Sequence, residues 1–84
     1  MAYQVKLKPT VEKKLKKIPK KEYNRILSAF ISLSINPLIG KKLEGEYKGS
    51  YSFRMWPYRI IYQIYQHQLL ILVIKIGHRQ GVYK

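Results

Sequence analysis

Arg54, Arg59 and Lys75 stand at positions that adjacent β-strands could bring side by side. Tyr51-Ser52-Phe53-Arg54-Met55-Trp56 and Tyr58 to Tyr65 read as the two arms of a hairpin turning at Pro57. Leu69 to Ile76 reads as a third strand after a turn at His67. An even-length loop sets Met55 against Tyr58 and Arg54 against Arg59. A three-residue turn over Gln66 to Gln68 sets Tyr65 against Leu69 and puts Arg59 opposite Lys75. Like charges directly opposite in a sheet cost up to about 1 kcal/mol. An isolated pair of such cations bends into water. Three in register beside the tail Gly77-His78-Arg79-Gln80-Gly81-Val82-Tyr83 point instead to an anion supplied from outside.

A site of cations, tyrosines and one imidazole suits phosphoryl chemistry on an RNA that brings its own nucleophile, the 2′-hydroxyl. The protein then orients that hydroxyl, stabilises charge on the phosphate and moves two protons. Arg54, Arg59 and Arg79 are the candidate clamp. His78, of a residue type that titrates at about 6.5 when unperturbed, is the candidate for proton transfer. Tyr83 is placed to stack on a base or handle a proton. Plainer roles stay open: Tyr83 sealing the core edge, His78 in solvent. Other chemistries lack their residues. There is no Asp for a Ser-His-Asp triad and no Cys. Two His and four scattered Glu do not form a metal cluster, and no Gly-rich phosphate loop is present, so neither metal nor cofactor is expected.

Positioning these side chains needs a sheet with one buried face. In the register above, that face carries Tyr51, Phe53, Met55, Tyr58, Ile60, Tyr62, Ile64, Leu70, Leu72, Ile74 and Ile76. The opposite face carries Ile61, Leu69, Ile71 and Val73 beside the cations, an apolar surface for a partner to cover. Upstream, Tyr3, Val5 and Leu7 alternate as a first strand, ended by Pro9. With Thr10 as the cap, Val11, Leu15 and Ile18 mark a short helix broken by Pro19. A second helix runs from about Lys20 to Ile35, with Tyr23, Ile26, Leu27, Phe30, Ile31 and Ser34 as its stripe. Asn36-Pro37 ends it. Leu38 to Ser50, with three glycines and no period, reads as a loop. The expected fold is therefore α+β, one domain over 1–84: a mainly antiparallel sheet on an N-terminal helix pair, in the order β-α-α-β-β-β.

The formal charge is +13, from 17 Lys and Arg against four Glu. Lys13, Lys14, Lys16, Lys17, Lys20, Lys21 and Arg25 crowd the helices, with only Glu12 and Glu22 among them. Lys41, Lys42 and Lys48 precede the hairpin. Such unbalanced charge suits phosphate contact, and with Lys75 these residues are the candidate RNA and ribosome contacts. No apolar run is long enough for a membrane span and no signal peptide is evident, so a cytoplasmic protein away from membranes is expected.

Lys42-Leu43-Glu44-Gly45, Tyr51-Ser52-Phe53-Arg54, Tyr58-Arg59-Ile60-Ile61-Tyr62 and Val73-Ile74-Lys75-Ile76-Gly77-His78-Arg79 with Val82-Tyr83 resemble, in order and spacing, the RelE branch of the RelE/ParE superfamily of bacterial and archaeal toxins. The resemblance spans nearly the whole chain. It implies a type II toxin that cleaves mRNA in the ribosomal A site without metal, leaving a 2′,3′-cyclic phosphate. It also implies neutralisation by an acidic antitoxin, through which the complex reaches operator DNA. By resemblance, Arg54, Arg59, Arg79 and Tyr83 match site residues, and His78 stands where some members have lysine. Ser52 departs from a lysine of some members, with Lys48 or Lys75 as candidate substitutes. The rival readings are a ParE-like inhibitor of DNA gyrase and a degenerate module that binds antitoxin or RNA without cutting. Arg79 and Tyr83 favour the nuclease, because a gyrase binder needs no phosphate clamp.

Overall fold

The computed structural model describes residues 2–78. Five strands form one mixed sheet in the order β1-β5-β4-β3-β2, with two helices between β1 and β2. β1 (Gln4–Leu7) runs parallel to β5 (Leu70–His78), while β4 (Tyr58–Tyr65), β3 (Tyr51–Met55) and β2 (Lys41–Lys42) follow antiparallel. The parallel edge is a consequence of the helix pair. After β1 the chain makes an α-helical crossover of the kind parallel strands require, and its partner arrives only at the end.

α1 (Pro9–Leu15) begins at Pro9, with extended Lys8 as its cap, rather than at the expected Thr10. Proline suits the first helical position because its fixed φ is helical and its missing N–H would have no partner there. Pro19 caps α2 (Lys20–Ile35), whose bounds match those read from the sequence. Its buried stripe is Ile26, Ala29, Phe30 and Leu33, flanked by half-buried Tyr23. Leu27 and Ile31, expected inside, are 37% and 62% exposed. α2 carries two apolar stripes, and periodicity alone does not say which one meets the sheet.

The β3–β4 pairing is the expected one, with Arg54 opposite Arg59 and Met55 opposite Tyr58; the Trp56–Pro57 peptide is cis. The β4–β5 pairing differs in two places. A 3-10 turn over Gln66–Gln68 is closed by Leu69 in the left-handed region (φ 50), so Tyr65 meets Leu70, not Leu69. That shift of one residue turns Ile71 and Val73 into the core, where both are fully buried, and takes Leu70 and Leu72 out of it. A bulge then leaves Ile74 between the Tyr62–Val73 and Ile61–Lys75 pairs. The second shift restores Ile76 to the core face. It also places Gly77, not Lys75, opposite Arg59. The three cations therefore do not form one row.

Leu38 to Ser50 is less irregular than expected. Pro37–Ile39 forms a 3-10 turn and Lys41–Lys42 adds the fifth strand. Buried Tyr62 secures both: its hydroxyl donates to the Pro37 carbonyl (2.6 Å) and accepts from the Gly40 N–H (3.1 Å). A Cβ on Gly40 would overlap that hydroxyl, so glycine is required for the close approach.

Candidate functional site

The helices cover one face of the sheet and the cations occupy the other. Paired residues of adjacent strands share a face and neighbours along a strand alternate. One row of the open face therefore reads Lys41, Ser52, Ile61, Lys75, and the next reads Arg54, Arg59, Gly77. Lys41, Leu43, Ser52, Arg54 and Arg59 line a concavity of about 400 Å³. Ser52 lies buried at 7% exposure, Arg59 is half-buried and Arg54 and Lys41 reach solvent. The concavity thus has one small neutral hydroxyl surrounded by three cationic side chains. Gly77 leaves the β5 side of Arg59 without a side chain.

Lys75 stands a row back from the arginines. Its ammonium donates to the Tyr47 hydroxyl at 3.3 Å. The same nitrogen is 5.9 Å from the ring centroid, so it sits beyond the hydroxyl and not over the ring face. Tyr47 belongs to a 3-10 turn, Gly45–Tyr47, in the connection between β2 and β3. That hydrogen bond ties the connection to β5 on the open face, where Ser52 and Ile61, in the same row as Lys75, are only 7% and 3% exposed. Tyr47 and this strap were not anticipated, since a glycine-rich segment carries no period to reveal where it folds.

His78 lies elsewhere. It pairs with Tyr58, and their rings meet edge to face at 5.3 Å on the helix side of the sheet. The Tyr58 hydroxyl in turn donates to Glu22 on α2 at 2.7 Å. Burial first, and then the Glu22 carboxylate, push the Tyr58 phenol up to about 12. His78 is therefore not gathered with Arg54 and Arg59. It meets the Tyr58 phenol ring on the helix side of the sheet. Arg79 and Tyr83 lie outside the described residues.

The remaining basic residues are distributed. Lys13, Lys14, Lys20, Lys21 and Arg25 are exposed on the helices, and Lys16 and Lys17 in the turn after α1, on the side away from the concavity. Lys14 alone of these approaches Lys75, across a shallow cavity of about 270 Å³ between α1 and the β5 bulge. Lys42 pairs with Tyr51 and so points to the helix side, and Lys48 is exposed on the strap. Among the described residues no three His, Cys, Asp or Glu side chains converge as a metal site requires.

The apolar patch on the open face differs from the one expected: Leu70 and Leu72 lie half-buried there, with Tyr65 and Leu69 exposed at its end. Ile71 and Val73 belong to the core, Ile61 is covered, and Leu69 closes a turn. Apart from Trp56, Tyr65 and Leu69, the exposed large apolar side chains lie along α2 and the turn after it, at Leu27, Ile31, Ile35, Leu38 and Ile39, from 37% to 69% exposed. Residues 26–40 contain no charge, in a chain that is 25% charged.

A crossover helix pair on a small mixed sheet, with a cationic concavity on the uncovered face, defines a RelE-like toxin domain, and comparison with known proteins agrees. Residues 5–83 match the family described as the ParE toxin of the type II toxin–antitoxin system parDE, and the chain belongs to that family, within the RelE/ParE superfamily. It is 31% identical to toxin RelG of Mycobacterium tuberculosis over 86 residues, covering all of this chain and 99% of that one. Among solved structures it is similar to the toxin–antitoxin complex RelBE2 of M. tuberculosis (31% identity, TM-score 0.86, covering 94% of this chain and all of that one). It is also similar to the archaeal RelE–RelB complex of Pyrococcus horikoshii (32% identity, TM-score 0.82, covering 94% and 97%). The isolated RelE toxin of E. coli shares the fold at 21% identity, with a TM-score of 0.80 over 92% of this chain and 84% of that one. The protein is a type II toxin of this family.

Proposed function

We propose that this toxin is a ribosome-dependent mRNA endonuclease. The observation that carries the reading is the convergence of Arg54 and Arg59 in one concavity on the uncovered face. Two guanidinium groups directly opposed across a ladder repel each other, and a phosphate between them removes that repulsion. In the reaction the RNA's 2′-oxygen attacks the adjacent phosphorus as its proton leaves. The 5′-oxygen departs and takes up a proton, and a 2′,3′-cyclic phosphate remains. The arginines stabilise the charge that grows on the non-bridging oxygens. No metal ion is needed for this chemistry because the nucleophile comes with the substrate. Arg79 and Tyr83, from the family resemblance, complete the proposed site. His78, seated behind the sheet, is a weaker candidate for the proton step than its place in the sequence implies.

The charge of +13 suits two polyanionic partners, the ribosome with its mRNA and an acidic antitoxin. The apolar stripe of α2 gives an antitoxin a surface to cover. A second reading, inhibition of DNA gyrase, draws on the description of the matched family, which is that of ParE.

Primer extension on a defined mRNA, with and without programmed ribosomes, tests the proposal. Cuts are expected only with ribosomes, and Arg59→Ala is expected to lower them by at least about 100-fold while the far-UV spectrum is unchanged. A folded wild-type protein that leaves the mRNA intact but blocks supercoiling by gyrase would replace this reading with the second.

A further inference from the structure

We propose that Lys41 is a catalytic residue of the same site, the third cation on the scissile phosphate, and not a diffuse surface contact. The inference rests on the endonuclease reading and extends it. Lys41 faces Ser52 directly across the β2–β3 ladder, so both side chains leave the sheet on the open face. Both line the concavity with Arg54 and Arg59. Ser52 is the one neutral polar residue there, and Lys41 lies immediately beside it, so the cationic lining is continued from the neighbouring strand. Lys48 sits exposed on the strap, and Lys75 is two strands from Ser52 and engaged with Tyr47, so neither occupies that place.

The fold spends specific interactions on positioning Lys41. β2 has only two residues, and its neighbour Gly40 is held through its N–H by the Tyr62 hydroxyl, at a place where no side chain fits. Tyr62 is fully buried and also anchors the Pro37 carbonyl. A core tyrosine therefore fixes where β2 lies and, with it, the backbone position from which Lys41 lines the pocket. A lysine of generic surface attraction requires no such placement.

The test relocates the charge. Lys41→Ala is expected to lower single-turnover cutting on programmed ribosomes by at least tenfold, and Lys41→Arg to keep most of it. Ser52→Lys added to Lys41→Ala is expected to recover cutting to within about threefold of wild type, because the cation returns to the same concavity from the opposite strand. A β2 strand merely disturbed by Lys41→Ala would not be repaired by a change on β3. Full activity in Lys41→Ala, or no recovery in the double variant when Lys41→Arg is active, overturns the proposal. A second arm separates it from the endonuclease reading. For a 2′-deoxy-substituted RNA hexamer that cannot be cut, Lys41→Ala is expected to weaken binding about tenfold and to reduce the slope of log affinity against log salt by about one. If the wild-type protein does not cut, the endonuclease reading falls. Unchanged hexamer affinity and salt slope in Lys41→Ala then remove Lys41 from the site as well.

Discussion

Tyr62 links the core to the site through one hydroxyl. It donates to the Pro37 carbonyl and accepts from the Gly40 N–H, so the end of the helical layer and the start of β2 are tied to the same buried side chain. At Gly40 even a methyl group meets that hydroxyl and the Ser52 carbonyl. Gly40→Ala is expected to destabilise the protein by about 1–3 kcal/mol, the usual range for overpacking, read as a lower urea midpoint at unchanged m-value. A wild-type midpoint would show that β2 yields freely. The pairing of Arg54 and Arg59 carries the proposed site. Their opposition followed from the spacing around Trp56-Pro57, because a tight hairpin leaves few registers open. His78 takes its side of the sheet from pairing and not from its place in the sequence. Its neighbour in sequence suggested the arginine cluster, but alternation along β5, once set by pairing with Tyr58, turns it to the other face.

At the scale of elements, α2 and β5 are where pattern and structure part. α2 is apolar on more of its circumference than one sheet can cover. The stripe left outside, with Ile31 at 62% and Ile35 at 69% exposure, has no charge to keep other proteins away. Replacing both by glutamine is expected to leave the thermal midpoint nearly unchanged, because neither side chain fills the core. The same pair of changes is expected to weaken the complex with an acidic antitoxin by at least about tenfold in calorimetric titration. Unchanged affinity would place the antitoxin on another face. β5 fails simple alternation for a different reason. Its turn is closed by Leu69 and its bulge accommodates Ile74, each moving the register by one. The first half of the strand thus shows the face opposite to the one its spacing from Tyr65 suggests. Only the sum of the two shifts returns Ile76 to the core.

Across the whole molecule, charge is spread over both sides of the sheet while the site is confined to one. The helical lysines lie behind the concavity, so they are placed to attract a polyanion from the side opposite the proposed phosphate site. Alkaline stability reports on the core that supports this surface. Burial pushes the phenols of Tyr58 and Tyr62 up to about 12, with Glu22 adding to the shift at Tyr58 and the Gly40 N–H opposing it at Tyr62. A raised folded-state value means that the stabilisation is fully present below about pH 10, the value of an unfolded tyrosine, and is lost as pH rises through about 12. Two of the eight tyrosines are therefore expected to ionise late, together with loss of the circular dichroism signal, between about pH 10 and 12. Phenolate absorbance reports the tyrosines directly and is the cleaner readout. All eight ionising near pH 10 with the fold intact would contradict the burial argument.

The sequence alone determined the order of the two helices and of every strand but β2, the bounds of α2, the Arg54–Arg59 opposition and the basic balance, because those depend on local spacing, proline punctuation and composition. It also carried the family resemblance, since the motifs lie in order along the chain. The tertiary structure decided which stripe of α2 is buried, that β1 joins β5 in parallel, and how turn and bulge combine along β5. It also decided that Lys41 joins the arginines while Lys75 turns to Tyr47 and His78 to Tyr58. Each of these is a choice between partners far apart in sequence. Such choices are settled by which arrangement buries the most apolar surface at once, a property of the assembled core and not of any single segment.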